Sequence, residues 1–144
     1  MSNSSPIPSP SPSTVANWGA IEPSSHALAL TIARAADDRK GADISILKVG
    51  GVSYLADYFV IVTGFSKVQV RAISQNIQEQ VEEECHRPCN RVEGQADGTW
   101  VLLDYGDTIA HIMMPEERDY YNLEAFWGHA ERVEFSASTP EARS

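Results

Sequence analysis

Cysteine is nearly missing from this chain of 144 residues, with Cys85 and Cys89 the only two. That is too few for the disulfide framework of a small secreted domain and suits a reducing compartment. Basic residues are scarce as well: 11 Lys and Arg stand against 20 Asp and Glu, for a formal charge of −9 and a pI near 4.8. Sequence-independent binding to nucleic acid needs clustered Lys and Arg against phosphates, so no direct nucleic-acid partner is expected. No apolar run approaches the length of a bilayer span, so no membrane partner is expected either. The first Lys or Arg is Arg34. The leading segment therefore lacks the positive region of a signal peptide and the arginines of a transit peptide, and a cytoplasmic protein is the expectation.

Chemical machinery is equally sparse. The chain has no Asp-x-Asp pair, and so none of the adjacent carboxylates that hold magnesium in nucleotidyl transfer. Thr63-Gly64-Phe65-Ser66 leads into a helix, where backbone amides can bind phosphate, but it lacks the glycine pattern and the lysine of a P-loop. Cys85, His86 and Cys89 are suitable zinc ligands, yet no fourth is evident and Pro88 interrupts them. His111 lies on an apolar strand with no Ser or Cys partner fixed by spacing, and reads as a histidine satisfied by a neighbouring backbone or carboxylate group. No catalytic residue, metal or cofactor is expected.

What is present centres on Trp100 to Met114, two strands meeting at a tight turn. Alternation puts Val101, Leu103 and Tyr105 on one side of the first strand and Trp100, Leu102 and Asp104 on the other. The second strand, Thr108 to Met114, is almost wholly apolar apart from His111, as in a strand covered on both faces. Gly106 between Tyr105 and Asp107 supplies the positive φ that a hairpin turn requires. Asp104, Tyr105 and Asp107 cluster at that turn beside Trp100. Ordinary turn chemistry accounts for such a cluster; a partly apolar, acidic docking patch of Trp100, Leu102, Asp104, Tyr105 and Asp107 accounts for it too.

The rest of the chain supports one domain. Residues 1–24 form a Ser- and Pro-rich arm without helical or strand period, expected to be disordered. Residues 25–130 carry the folded unit, and residues 131–144 a polar tail expected to be poorly ordered. Ser24 or Ser25 caps a helix with Leu28, Ile32, Ala35 and Ala36 on one stripe, stopped at Gly41. Strands follow at Asp43 to Val49, closed by Gly50-Gly51, and at Tyr58 to Val62. Ser66 caps a second helix whose Val70, Ile73, Ile77 and Val81 share a stripe, with the run Glu79, Glu82, Glu83 and Glu84 on a solvated face. Asn90 to Glu93 is a short strand, parallel to the strand before the crossover helix. Pro115 opens a last helix with Tyr120, Leu123, Phe126 and Trp127 on one stripe.

Four ordered stretches, DYFVIVTGFSKVQVRAI from Asp57, RVEG from Arg91, WVLLDYGD from Trp100 and RDYYNLEAFWG from Arg118, resemble the ribosomal silencing factor family, also called the Iojap family. The resemblance implies a single α/β domain with a mixed, mostly five-stranded sheet packed with helices, in a nucleotidyltransferase-like topology. It also implies a translational repressor, not an enzyme, that binds the large ribosomal subunit through its ribosomal protein fourteen and sterically blocks joining with the small subunit. An acidic chain fits docking on a basic protein surface of that particle. Asp57, Arg118, Tyr121 and Glu124 match the family's motifs, whereas Ala110 stands where the family tends to have a larger β-branched residue, implying local repacking. Sheet edges and the apolar C-terminal helix leave room for a homodimer. The alternative is a divergent nucleotidyltransferase-like nucleotide-binding protein.

Overall fold

The computed structural model describes residues 24–50 and 56–136. Residues 1–23 of the expected disordered arm, Gly51 of the expected turn and the end of the polar tail lie outside them. Element α1 (Ser25–Asp38) starts where the Ser24 hydroxyl accepts the Ala27 N–H at 3.1 Å, satisfying an amide that the first turn leaves free. Its residues Leu28, Ile32, Ala35 and Ala36 are all buried. Strands β1 (Ala42–Lys48) and β2 (Tyr58–Thr63) pair antiparallel, and every residue of β2 is buried, as its unbroken apolar run requires. Element α2 (Lys67–Cys85) is capped by Ser66, whose Oγ accepts the Gln69 N–H at 3.0 Å. It buries Val70, Ile73, Ile77 and Val81 and ends at His86, which takes the left-handed conformation two residues before Pro88.

Strands β3 (Arg91–Glu93), β4 (Trp100–Asp104) and β5 (Thr108–Met113) form a meander, after which come α3 (Pro115–Tyr121), α4 (Leu123–Phe126) and β6 (Glu131–Val133). The mixed sheet has six strands in the order β3-β4-β5-β2-β1-β6, with β2 and β5 parallel at its centre and all other neighbours antiparallel. The crossover through α2 does join two strands of the same direction, but β4 and β5 stand between them. Helices α1 and α2 cover one face and enclose the larger core with Ile46, Val60, Val62, Val101, Leu103, Tyr105 and Ile112. On the other face Leu47, Val49, Phe59, Ile61 and Met113 pack beneath Trp100, Leu123 and Trp127.

Two expectations are corrected. Glu131–Val133 is not tail: it pairs with Ile46, Leu47 and Lys48 and adds a sixth strand. The single C-terminal helix is two, because Asn122 adopts φ 46° and ψ 56° and breaks it. The expected stripe is split accordingly. Leu123 and Trp127 face the sheet, while Tyr120 and Phe126 are 81% and 77% exposed.

Candidate functional site: an aromatic and acidic sheet face

The β4–β5 hairpin builds the site. Trp100 stands opposite Met113, Leu102 opposite His111, and Asp104 opposite Ile109, so all six share the face not covered by α1 and α2. A row of rings crosses it. Tyr120 meets Tyr121 at 4.9 Å between centroids, Tyr121 meets Trp100 at 4.8 Å, and Trp100 meets His111 at 5.9 Å. His111 meets Phe59 at 5.0 Å, Phe59 meets Trp127 at 5.5 Å, and Trp127 meets Phe126 at 5.2 Å. The tilted and edge-on contacts suit ring quadrupoles and lock neighbouring side chains together. Trp100 is partly buried, and its Nε1–H donates to Nδ1 of His111 at 3.1 Å. Beside it, Thr99, Trp100, Glu116, Glu117, Asp119, Tyr120 and Tyr121 line an open groove of about 600 Å³. The first two carboxylates come from the first turn of α3, where the helix dipole favours them.

The turn end of the hairpin is polar and largely self-satisfied. Asp104 Oδ1 accepts the Gly106 N–H at 2.7 Å, and Gly106 has φ +90°. Arg87 forks onto Asp107 at 3.1 and 3.3 Å and also donates to the Tyr105 carbonyl. The Asp107 carbonyl accepts the N–H groups of Asp57 and Tyr58, tying this turn to the start of β2.

The proposed patch residues are thus sorted. Trp100, Leu102 and Asp104 are partly exposed on one face. Tyr105 is not on it: its ring is 1% exposed in the larger core, and burial raises its phenol well above the usual range. Strand parity places it with Val101 and Leu103 in the core, out of reach of a docking partner. Asp107 lies past the turn, held by Arg87. Cys85, His86 and Cys89 serve separate ends: Cys85 is buried against Thr31, His86 caps α2, and Cys89 donates to the carbonyls of Arg91 and Asp104. Burial raises the Cys89 thiol above its ordinary value, the opposite of a thiolate ligand.

Of the other motif residues, Arg118 and Glu124 hold the fold. Arg118 pairs with both Glu124 oxygens at 3.1 and 2.9 Å and donates to Thr63 Oγ1 at 2.9 Å and Ser45 Oγ at 3.3 Å. Burial alone would raise the Glu124 pKa, but bonds from Arg118 and Ser45 and the charges of Arg118 and Arg132 outweigh it and hold the carboxyl below its ordinary value. Asp57 stitches the first helix to the sheet by accepting from the Ser25 hydroxyl at 3.3 Å. Tyr121, 51% exposed, belongs to the aromatic face. Sequence reasoning missed Arg87 as the partner of Asp107 at the turn and the acidic side chains of α3 as parts of the aromatic face; the first-turn carboxylates after Pro115 were visible, but nothing in spacing brought them beside Trp100.

A family model described as "Ribosomal silencing factor during starvation" matches residues 22–144. The chain belongs to the ribosomal silencing factor family. It is 43% identical over 98 residues to ribosomal silencing factor RsfS of Bacillus subtilis, covering 68% of this chain and 82% of that one. It is 31% identical over 87 residues to a Mus musculus protein named mitochondrial assembly of ribosomal large subunit protein 1, covering 59% of this chain and 38% of that one. A crystal structure of a Chromobacterium violaceum protein superimposes with a TM-score of 0.68 at 32% identity, over 81% of this chain and 96% of that one. In this ribosomal silencing factor the β4 face sets partly exposed apolar side chains beside bordering carboxylates.

Proposed function

We propose that this silencing factor is a non-enzymatic, cytoplasmic translational repressor. It docks on the large ribosomal subunit at its ribosomal protein fourteen and sterically blocks joining with the small subunit. The observation that carries the reading is the β4 face, where Trp100 and Leu102 stand partly exposed on a rigid sheet beside a groove lined by Glu116, Glu117 and Asp119. Such a face suits a basic protein surface, since apolar anchors supply affinity and carboxylates supply register and steering. The naming of the murine relative for large-subunit assembly agrees in kind. A homodimer would use this same face, because edge strands β3 and β6 are three residues each and carry Arg91, Glu93, Glu131 and Arg132, which discourages edge pairing.

Nucleotide binding is disfavoured by the loop before α2. The Phe65 N–H donates to Gln69 Oε1 at 2.7 Å and the Gln69 N–H to Ser66, so these amides are already engaged. ATP with magnesium is expected to leave the melting temperature unchanged; a rise would reopen an enzymatic role.

The docking test is co-sedimentation with isolated large subunits, followed by addition of small subunits. The protein is expected to travel with the large subunit and to reduce intact ribosomes. Leu102→Lys keeps an apolar stem on the sheet but sets a positive charge against a basic partner, so affinity is expected to fall at least about tenfold with melting little changed. Unchanged docking of that variant would place the interface elsewhere.

A further inference from the structure

His111 is 5% exposed at the centre of the aromatic face. Its Nδ1 accepts the Trp100 indole N–H, so the proton of the neutral ring sits on Nε2. That Nε2 is buried and has no hydrogen-bond partner among the described residues. A buried donor without a partner is costly, and an apolar side chain on this otherwise apolar strand would avoid the cost. An apolar side chain would instead release the indole N–H of Trp100, which is partly open to solvent, so stability alone gives little reason for an imidazole here. What the imidazole does provide is an acceptor for Trp100, whose indole also packs against the Tyr121 ring at 4.8 Å. Two constraints, one polar and one aromatic, fix the plane of an indole that is partly open to solvent.

We propose that His111 is a positioning residue, whose neutral imidazole holds Trp100 in the orientation that docks on the large ribosomal subunit. This rests on the docking reading above. Burial pushes the imidazole down to about 4, which keeps it an acceptor near neutral pH. Fixing an aromatic anchor before the encounter lowers the ordering cost of association, so the bond acts on affinity more than on folding.

Two variants separate positioning from packing. His111→Asn sets an amide oxygen near the place of Nδ1 but leaves a void; it is expected to melt several degrees lower yet dock like the wild type. His111→Leu fills the volume and removes the orphan Nε2–H but frees the indole N–H of the partly exposed Trp100; it is expected to melt near the wild-type temperature yet dock roughly three- to tenfold more weakly. In a Trp100→Phe background, His111→Leu should produce no further loss, because its effect passes through the indole. The Trp100 indole N–H resonance should shift and exchange faster with solvent in His111→Leu, and stay near its wild-type position in His111→Asn. Docking that follows melting temperature in place of the acceptor overturns the proposal. So does an equal loss from His111→Leu in both backgrounds. If Trp100→Phe docks as well as the wild type, the docking face itself is wrong and the positioning role falls with it. If Trp100→Phe weakens docking and His111→Leu does not, only the positioning role falls.

Discussion

At the scale of single residues, strand parity held most of the information about the site. Alternation along β4 had already placed Tyr105 with Val101 and Leu103; counting it into the patch followed nearness to the turn over the face it occupies. For His111 the sequence indicated a satisfied histidine, but its acceptor role toward Trp100 depends on the register that sets Leu102 opposite His111, which no local pattern reveals. The depressed imidazole has a consequence for stability. Its folded pKa, about 4, lies below the ordinary 6.5, so between these values the unfolded chain binds more protons than the native one. The stability from neutral burial is present above pH 6.5 and is lost as pH falls toward 4. Urea unfolding is expected to lose about 2 kcal/mol between pH 7 and pH 5, and His111→Leu to flatten that slope. An unchanged slope in the variant would assign the acid sensitivity to other groups. A second residue-scale prediction concerns Gly94, at φ +85°, where a Cβ would lie 2.0 Å from the Trp100 carbonyl oxygen. Gly94→Ala should cost about 3 kcal/mol by denaturant titration, since both conformation and space are refused.

At the scale of elements, strongly periodic segments were legible and short ones were not. Helices α1 and α2 have caps, stripes and stops that agree with one another, so their ends fall near the expected residues. The C-terminal helix pair misleads because Asn122 gives only a weak local break signal, while the apolar spacing around it looks continuous. Strand β6, Glu-Arg-Val, has two charged residues out of three, and only its pairing with β1 makes it a strand. What holds this region is the Arg118–Glu124 pair, whose side chains are 13% and 22% exposed. Removing Arg118 takes away the closer of the two cations on Glu124 and leaves a largely buried carboxylate to Arg132 and the Ser45 hydroxyl, so Arg118→Met should cost about 2 kcal/mol. The loss should be local. Hydrogen exchange is expected to quicken in α3, α4 and β6 and to leave β2 and β5 protected, because the α1 and α2 core does not depend on the pair. Uniform loss of protection would show instead that the helix pair is part of the global folding unit.

At the scale of the whole molecule, the fold class was legible because alternating strands and amphipathic helices admit few layer arrangements. Strand order was not, since the parallel pairing of β2 with β5 joins segments separated by the crossover and two further strands. The formal charge of −9 bears on the partner. Between an acidic protein and a basic ribosomal protein, added salt screens attraction and weakens docking; between an acidic protein and RNA, it screens repulsion and does the reverse. For the proposed docking on ribosomal protein fourteen, affinity for that isolated protein is expected to fall severalfold as potassium chloride rises from about 50 to about 300 mM, mostly through slower association. Replacing Glu116 and Glu117 by Gln should weaken binding at the lower salt and flatten the dependence, because these side chains border Trp100 and supply part of the attraction. An unaltered salt slope in that double variant would move the electrostatic contact off the α3 groove, toward the carboxylates at the turn end of the hairpin.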